Sequence, residues 1–99
     1  MKNIVILGST GSIGVQTLEV IEKLSDKFNV KALGCGNNIE LLKEQIKKFR
    51  PEFVCIKDEN RINDIKKEFK NIEIYFGEEG LIKLAQISDY DILVSATNG

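Results

Sequence analysis

Apolar runs of two different periods alternate along the whole chain, and this alternation constrains the fold more than any other property of the sequence. Ile4-Val5-Ile6-Leu7 is a continuous β-rich run that stops at Gly8, as a strand buried on both faces should. From Ile13 to Leu24 the period changes: Val15, Leu18, Ile21 and Leu24 recur every three residues, with Glu19, Glu22 and Lys23 between them. That is the pattern of an amphipathic helix, and Ser12 is placed to cap it. Phe28 to Leu33 returns to strand character and ends at Gly34-Cys35-Gly36. A second helical face, Ile39, Leu42, Ile46 and Phe49, has Asn38 at its N-cap position and Pro51 just past its end. Phe53-Val54-Cys55-Ile56 predicts a third strand, and Ile62, Ile65 and Phe69 a third helix. Ile72, Ile74 and Phe76 alternate as a fourth strand, Leu81 to Ile87 predicts a short helix, and Ile92-Leu93-Val94 a fifth strand.

Strands and helices joined by connections of a few residues make an α/β fold: a Rossmann-like parallel sheet with helices on both faces, three layers in all. Right-handed crossovers favour the strand order 3-2-1-4-5. Ninety-nine residues suffice for one hydrophobic core and not two. With 42% apolar and 29% charged residues and a single proline, the chain is not predominantly disordered. Fourteen basic against fifteen acidic residues leave a net charge of -1, so nucleic acid and anionic membrane exert no global pull on it. No wholly apolar run exceeds four residues, far from a bilayer span, and Met1 leads into the first strand without a signal-peptide pattern. The chain therefore reads as cytoplasmic. It has no histidine, and Cys35 and Cys55 match no zinc or CxxC spacing, so a metal site within it is not expected, and chemistry held wholly within these residues would have to use carboxylates, lysines, tyrosines or thiols. The cysteines read as two reduced thiols. No repeat, low-complexity segment or linker interrupts the pattern. The chain stops at Thr97-Asn98-Gly99, where a fifth strand would deliver its loop to a ligand crevice, and so reads as the front of a longer protein.

The chemistry is concentrated in Gly8-Ser9-Thr10-Gly11-Ser12-Ile13-Gly14, which joins the strongest strand to the first amphipathic helix. In a dinucleotide-binding turn Gly8 bends the chain, Gly11 lets the backbone approach a pyrophosphate, and Gly14 lets the helix pack against the sheet. Free N–H groups and the positive end of the helix dipole then face the phosphates. Ser9, Thr10 and Ser12 are candidate hydroxyl donors to the same oxygens, Ser12 doubling as an N-cap. The spacing alone is a weak signal, and its position between strand and helix is what strengthens it.

The end of the second strand selects the nucleotide. An NAD-binding unit places Asp or Glu there for the ribose 2′-hydroxyl, and an NADP-binding unit a positive or neutral polar group. This chain has Gly36-Asn37-Asn38, with Glu40 just inside the next helix and Lys43 the nearest cation beyond. The missing acid favours NADP over NAD, while the missing Arg or Lys argues against strong selection. Asn37 and Asn38 also serve as turn and helix cap.

Gly8-Ser9-Thr10-Gly11-Ser12-Ile13-Gly14 followed by Thr17-Leu18 resembles the N-terminal signature of the 1-deoxy-D-xylulose 5-phosphate reductoisomerases. Three weaker stretches are similar too: Val30-Lys31-Ala32-Leu33 running into Gly36-Asn37-Asn38, Gly77-Glu78-Glu79-Gly80-Leu81 before Ala85, and the end at Ala96-Thr97-Asn98-Gly99. The resemblance runs in register over the whole chain. It implies phosphate contacts at Thr10, Gly11, Ser12 and Ile13, and adenosine-ribose contacts at Gly36, Asn37 and Asn38. It departs at Asn37, where many members carry Arg or Lys. It further implies that residues 1–99 are the front part of an NADPH-binding domain, and that the catalytic and C-terminal domains lie after it. The metal ligands for magnesium or manganese, the substrate-phosphate ligands and the mobile flap would be among them. The parent enzyme, expected to be a homodimer, would isomerise 1-deoxy-D-xylulose 5-phosphate and reduce it with NADPH to 2-C-methyl-D-erythritol 4-phosphate, in isoprenoid biosynthesis. The fragment alone would be inactive.

Two other readings fit the residues. One is a non-enzymatic nucleotide-sensing module built on a bare Rossmann unit. The other is a different NADP-dependent enzyme with a GxxGxxG turn, such as a short-chain dehydrogenase, which a downstream tyrosine–lysine pair would reveal.

Overall fold

The computed structural model describes residues 1–87 and 89–96. Strand β1 (Lys2–Leu7) leads through the glycine-rich turn into helix α1 (Ser12–Lys23), followed by β2 (Phe28–Gly34), α2 (Ile39–Phe49) and β3 (Phe53–Ile56). A 3-10 turn at Glu59–Arg61 opens the short α3 (Ile62–Lys66), and β4 (Glu73–Phe76), α4 (Gly77–Gln86) and β5 (Ile92–Ser95) complete the order. The strands form one parallel five-stranded sheet, β4-β3-β2-β1-β5.

The Rossmann-like, three-layer reading holds, with one correction to the expected order 3-2-1-4-5. The fourth strand continues outward beyond β3, and the fifth returns to pair with β1, Ile4 opposite Ile92 and Leu7 opposite Ser95. Crossover handedness explains the arrangement. Right-handed connections stepping in one direction put their helices on one face of the sheet, and a step in the opposite direction puts its helix on the other. Leu18 and Ile21 of α1, Leu42 and Ile46 of α2 and Ile65 of α3 share one core with Ile4, Ile6, Val30, Leu33, Val54 and Ile56. Leu84 of α4 packs in a second core with Val5, Ala32 and Cys55. The chain thus steps one way from β1 to β4 and reverses through α4 to β5. The alternation of Ile4 and Ile6 against Val5 on the two faces is why the first run carries no polar residue.

Local chemistry accounts for the element ends. The Asn38 side-chain oxygen accepts from the Leu41 N–H at 3.1 Å, capping α2 as expected. That helix stops at Arg50, which turns left-handed at φ 49°, and Pro51 after it cannot continue the helix. Helix α4 begins at Gly77, four residues before the expected Leu81. Gly77 has φ +71° and starts the helix, while Gly80 lies within it, against β3: a Cβ there would meet the Cys55 sulfur at 2.7 Å. Gly77 therefore makes the bend into the helix, and Gly80 is a packing contact.

Cys35 and Cys55 are buried free thiols. Their backbones touch, the Cys35 N–H donating to the Cys55 carbonyl at 2.9 Å, yet the side chains belong to the cores on opposite faces of the sheet. No helix among the described residues is long and apolar enough to cross a membrane.

Candidate nucleotide-binding site

The carboxyl end of β1 lies between β2 and β5, where the chain's direction across the sheet reverses, and open α/β sheets bind ligands at such a point. Gly8 makes the bend in the left-handed region, at φ 87°. Its N–H and that of Ser9 both donate to the Gly34 carbonyl, at 2.7 and 2.8 Å, which ties the turn to the end of β2. Gly14 brings α1 down onto the turn: a Cβ there would lie 2.2 Å from the Gly8 carbonyl oxygen and 2.7 Å from the Ser9 Cα. Only glycine fits.

Gly11 plays a different part. Its N–H is used internally, donating to the Gly8 carbonyl at 3.2 Å, and a Cβ on it would make only an ordinary 3.6 Å contact with that oxygen. The fold does not need a glycine here, so the bare backbone is free to serve something outside the fold. The residue is exposed and extended, with φ -79° and ψ 172°, and it is the N-cap of α1.

Ser12 does not cap the helix; this expectation is corrected. It is the first residue of α1, and the N-cap Gly11 has no side chain to bond the first turn. The N–H groups of Ser12, Ile13 and Gly14 consequently have no backbone or cap partner among the described residues, and neither has that of Thr10. A fan of free donors at the positive end of a helix is the arrangement that holds a phosphate. Thr10 is partly exposed and Ser12 exposed, within reach of such a ligand. Ile13 is 61% exposed, an apolar side chain left at the helix start with no core to enter. Ser9 is the second correction: it is fully buried at 0% exposure, so its hydroxyl cannot donate to an outside phosphate.

Beyond β2 the backbone opens. A methyl group added to Gly36 would meet nothing within 4 Å, Asn37 is exposed, and Asn38 faces the first turn of α2. Lys43 is not available to this end of the crevice, since its Nζ pairs with Glu68 at 3.2 Å and Glu40 at 3.9 Å. Asn37 therefore presents a neutral amide. Among the described residues no group of three or more Asp, Glu, Cys or His gathers as a metal site. Thr97, Asn98 and Gly99, part of the stretch on which the resemblance also rests, lie outside the described residues. Two surface grooves, of about 380 and 550 Å³, border α2, one against α1 and the other beside the amino ends of β3 and β4, and neither is lined by the glycine-rich turn.

One residue of this site escaped the sequence reading. Gln45 of α2, 6% exposed, donates from Nε2 to the Ser9 carbonyl at 2.8 Å. The available signal is its place three residues after Leu42, a polar residue on an otherwise apolar stripe.

Comparisons with known proteins bear on the family and the fold. The family model of 1-deoxy-D-xylulose 5-phosphate reductoisomerase matches residues 4–99. Among relatives of that name, the chain is 48% identical over 99 residues to the protein of Thermodesulfovibrio yellowstonii and 47% over 100 residues to that of Shouchella clausii. It is wholly covered in both matches and spans 26% of each relative's length. A crystal structure of DOX-P reductoisomerase in complex with NADPH, fosmidomycin and magnesium superposes with a TM-score of 0.91 at 27% identity, over 98% of this chain and 24% of that one. The Zymomonas mobilis reductoisomerase in complex with NADPH gives 0.81 at 30% identity, over 89% and 24%. A match over nearly every residue, in sequence and in fold, makes this chain a member of the 1-deoxy-D-xylulose 5-phosphate reductoisomerase family.

Proposed function

We propose that residues 1–99 form the front part of the NADPH-binding domain of a reductoisomerase, with the dinucleotide laid across the carboxyl ends of β1 and β2. The observation that carries the reading is the uncapped first turn of α1 at the reversal point, with its free donors and a Gly11 that the fold itself does not require. NADPH, when bound, supplies the hydride. Thr10, Gly11, Ser12 and Ile13 hold the pyrophosphate by backbone N–H, hydroxyl and close approach, and Gly8 sets the bend that aims them. Gly36, Asn37 and Asn38 receive the adenosine ribose, and the open space over Gly36 suits a close-lying sugar. The neutral Asn37 recognises a 2′-phosphate by hydrogen bonding rather than by charge.

The parent reaction converts 1-deoxy-D-xylulose 5-phosphate to 2-C-methyl-D-erythritol 4-phosphate, the route to isoprenoids. Residues outside this segment hold the magnesium or manganese and the substrate phosphate, and complete the homodimer. Two buried reduced thiols suit a cytoplasmic protein, and the near-balanced charge suits one without nucleic-acid or membrane partners.

The test is Gly11→Val in the full-length protein. Valine adopts the extended backbone of residue 11 without strain, so the fold survives, while the branched side chain occupies the place of phosphate oxygens. NADPH affinity should fall at least tenfold, about 1.4 kcal/mol. A folded variant titrating like the wild type would remove the phosphate-cradle assignment.

A further inference from the structure

Gln45 is a buried polar residue whose place core packing does not explain. It sits on the apolar stripe of α2, its Nε2 donates to the Ser9 carbonyl at 2.8 Å, and its Oε1 has no hydrogen-bond partner. A buried acceptor left unpaired costs stability, and an apolar side chain on the same stripe would pack without that cost. Turning the amide over would bring Oε1 against the Ser9 carbonyl, two acceptors face to face. The side chain is therefore committed to donating, and what it holds is one peptide group.

That peptide is the link between Ser9 and Thr10. It is trans, as are all described peptide bonds, so its carbonyl and its N–H point in opposite directions. With the Ser9 carbonyl drawn toward α2, the Thr10 N–H is turned away from α2. Other contacts fix the neighbouring atoms but not this plane. The Gly34 carbonyl holds the N–H groups of Gly8 and Ser9, and Gly14 lies so near the Ser9 Cα and carbonyl carbon that a Cβ on it would not fit. Gln45 is the described side chain that fixes the carbonyl oxygen.

We infer that Gln45 is a positioning residue for the dinucleotide: by holding the Ser9 carbonyl it presents the Thr10 N–H to the pyrophosphate. It touches no ligand itself, being buried behind the turn. The inference rests on the nucleotide-binding function proposed above, and goes beyond it by assigning the orientation of the cradle to a second helix, 36 residues further along the chain.

The experiment uses the full-length protein with Gln45→Met, which keeps length and volume but cannot donate, and Gln45→Leu, an apolar side chain suited to the same stripe that also cannot. Both should weaken NADPH about tenfold and raise its KM with little change in kcat. Adenosine 2′-monophosphate, which lacks the 5′-phosphate and so never meets the turn, should bind both variants as it binds the wild type. A purely structural role would not produce that split. Equal weakening of the two ligands, or NADPH affinity within twofold of wild type in either folded variant, would overturn the inference. Should neither variant fold, the unsubstituted protein decides: the Thr10 amide resonance should move downfield on adding NADPH, and an unmoved resonance overturns the assignment. Failure of the wild type to bind NADPH at all would instead refute the nucleotide-binding reading.

Discussion

Replacing Gly14 by alanine separates the packing of this turn from its ligand chemistry. In a helix position alanine ordinarily stabilises relative to glycine by about 1 kcal/mol. Here the new methyl carbon would stand 2.2 Å from the Gly8 carbonyl oxygen, 2.7 Å from the Ser9 Cα and 2.8 Å from its carbonyl carbon. All three are backbone atoms, and Gly8 and Ser9 are already tied to the Gly34 carbonyl, so they cannot swing aside as a side chain would. Overpacking typically costs about 1–3 kcal/mol and more where backbone must move. Taking about 3 kcal/mol for the clash and setting the propensity gain against it leaves a loss of about 2 kcal/mol. For a cooperative unit of roughly 150–250 residues that corresponds to about 4–8 °C in melting temperature. The assay is a thermal melt of full-length protein, followed by circular dichroism, for wild type, Gly14→Ala and Gly11→Ala. Gly11→Ala is the control: its methyl meets only the Gly8 oxygen, at 3.6 Å, and its melt should stay within about 2 °C of wild type. A Gly14→Ala protein as stable as wild type, or one stabilised as helix propensity alone requires, would show that α1 does not rest on the turn.

Two further outcomes follow from other parts of the site. Asn37→Arg would offer the ribose 2′-phosphate a charged fork; discounted for an exposed position, the gain is about 1 kcal/mol. NADPH should bind about fivefold tighter and NADH nearly unchanged, with the gain shrinking as salt rises; calorimetric titration of both nucleotides at two ionic strengths checks it, and equal effects on both would place Asn37 away from that phosphate. Burial pushes the Cys35 thiol up from 9.0 to about 12, with Cys55 adding to the shift, and burial alone pushes Cys55 to about 11. Folding thus favours the neutral thiols, a contribution fully present below about pH 9 and lost as the pH rises through 11 to 12. At pH 8 mass-spectrometric mapping should find neither cysteine alkylated by iodoacetamide until denaturant is added, and labelling of native protein would refute the burial argument.

The parts of this structure legible in the sequence are those encoded over short distances. The change from the Ile4–Leu7 run to the spacing of Val15, Leu18 and Ile21 marks strand, turn and helix, because each period reflects which side chains share a face. Asn38 reads correctly as a cap because the group it satisfies is three residues away. Ser12 has the right chemistry for a cap, and yet the extended Gly11 takes that place and leaves the first turn open. What the sequence conceals are choices made across space. Nothing in the residues of β4 tells whether it steps outward past β3 or back to β1. The packing role of Gly80 is hidden because the Cys55 sulfur it must clear is 25 positions earlier. Gln45 stands out as a polar residue on an apolar face, but its partner, the Ser9 carbonyl, is a backbone atom on which no side-chain pattern depends.

The return of β5 to β1 sets the order in which the molecule can assemble. Pairings of β1 with β2, β2 with β3 and β3 with β4 each close a loop of one crossover, whereas β1 and β5 join residues as far apart as Asn3 and Asp91, whose side-chain oxygen accepts the Asn3 N–H at 2.8 Å. Closure entropy grows with loop length, so the longest-range pairing gains its reward last. During synthesis the first four strands can assemble while one flank of β1 stays bare, its unpaired N–H and C=O groups open to any passing strand. The wall that turns the end of β1 into a crevice arrives only when β5 leaves the ribosome. Until then the growing chain has the glycine turn but no pocket around it, and a nucleotide has little to hold.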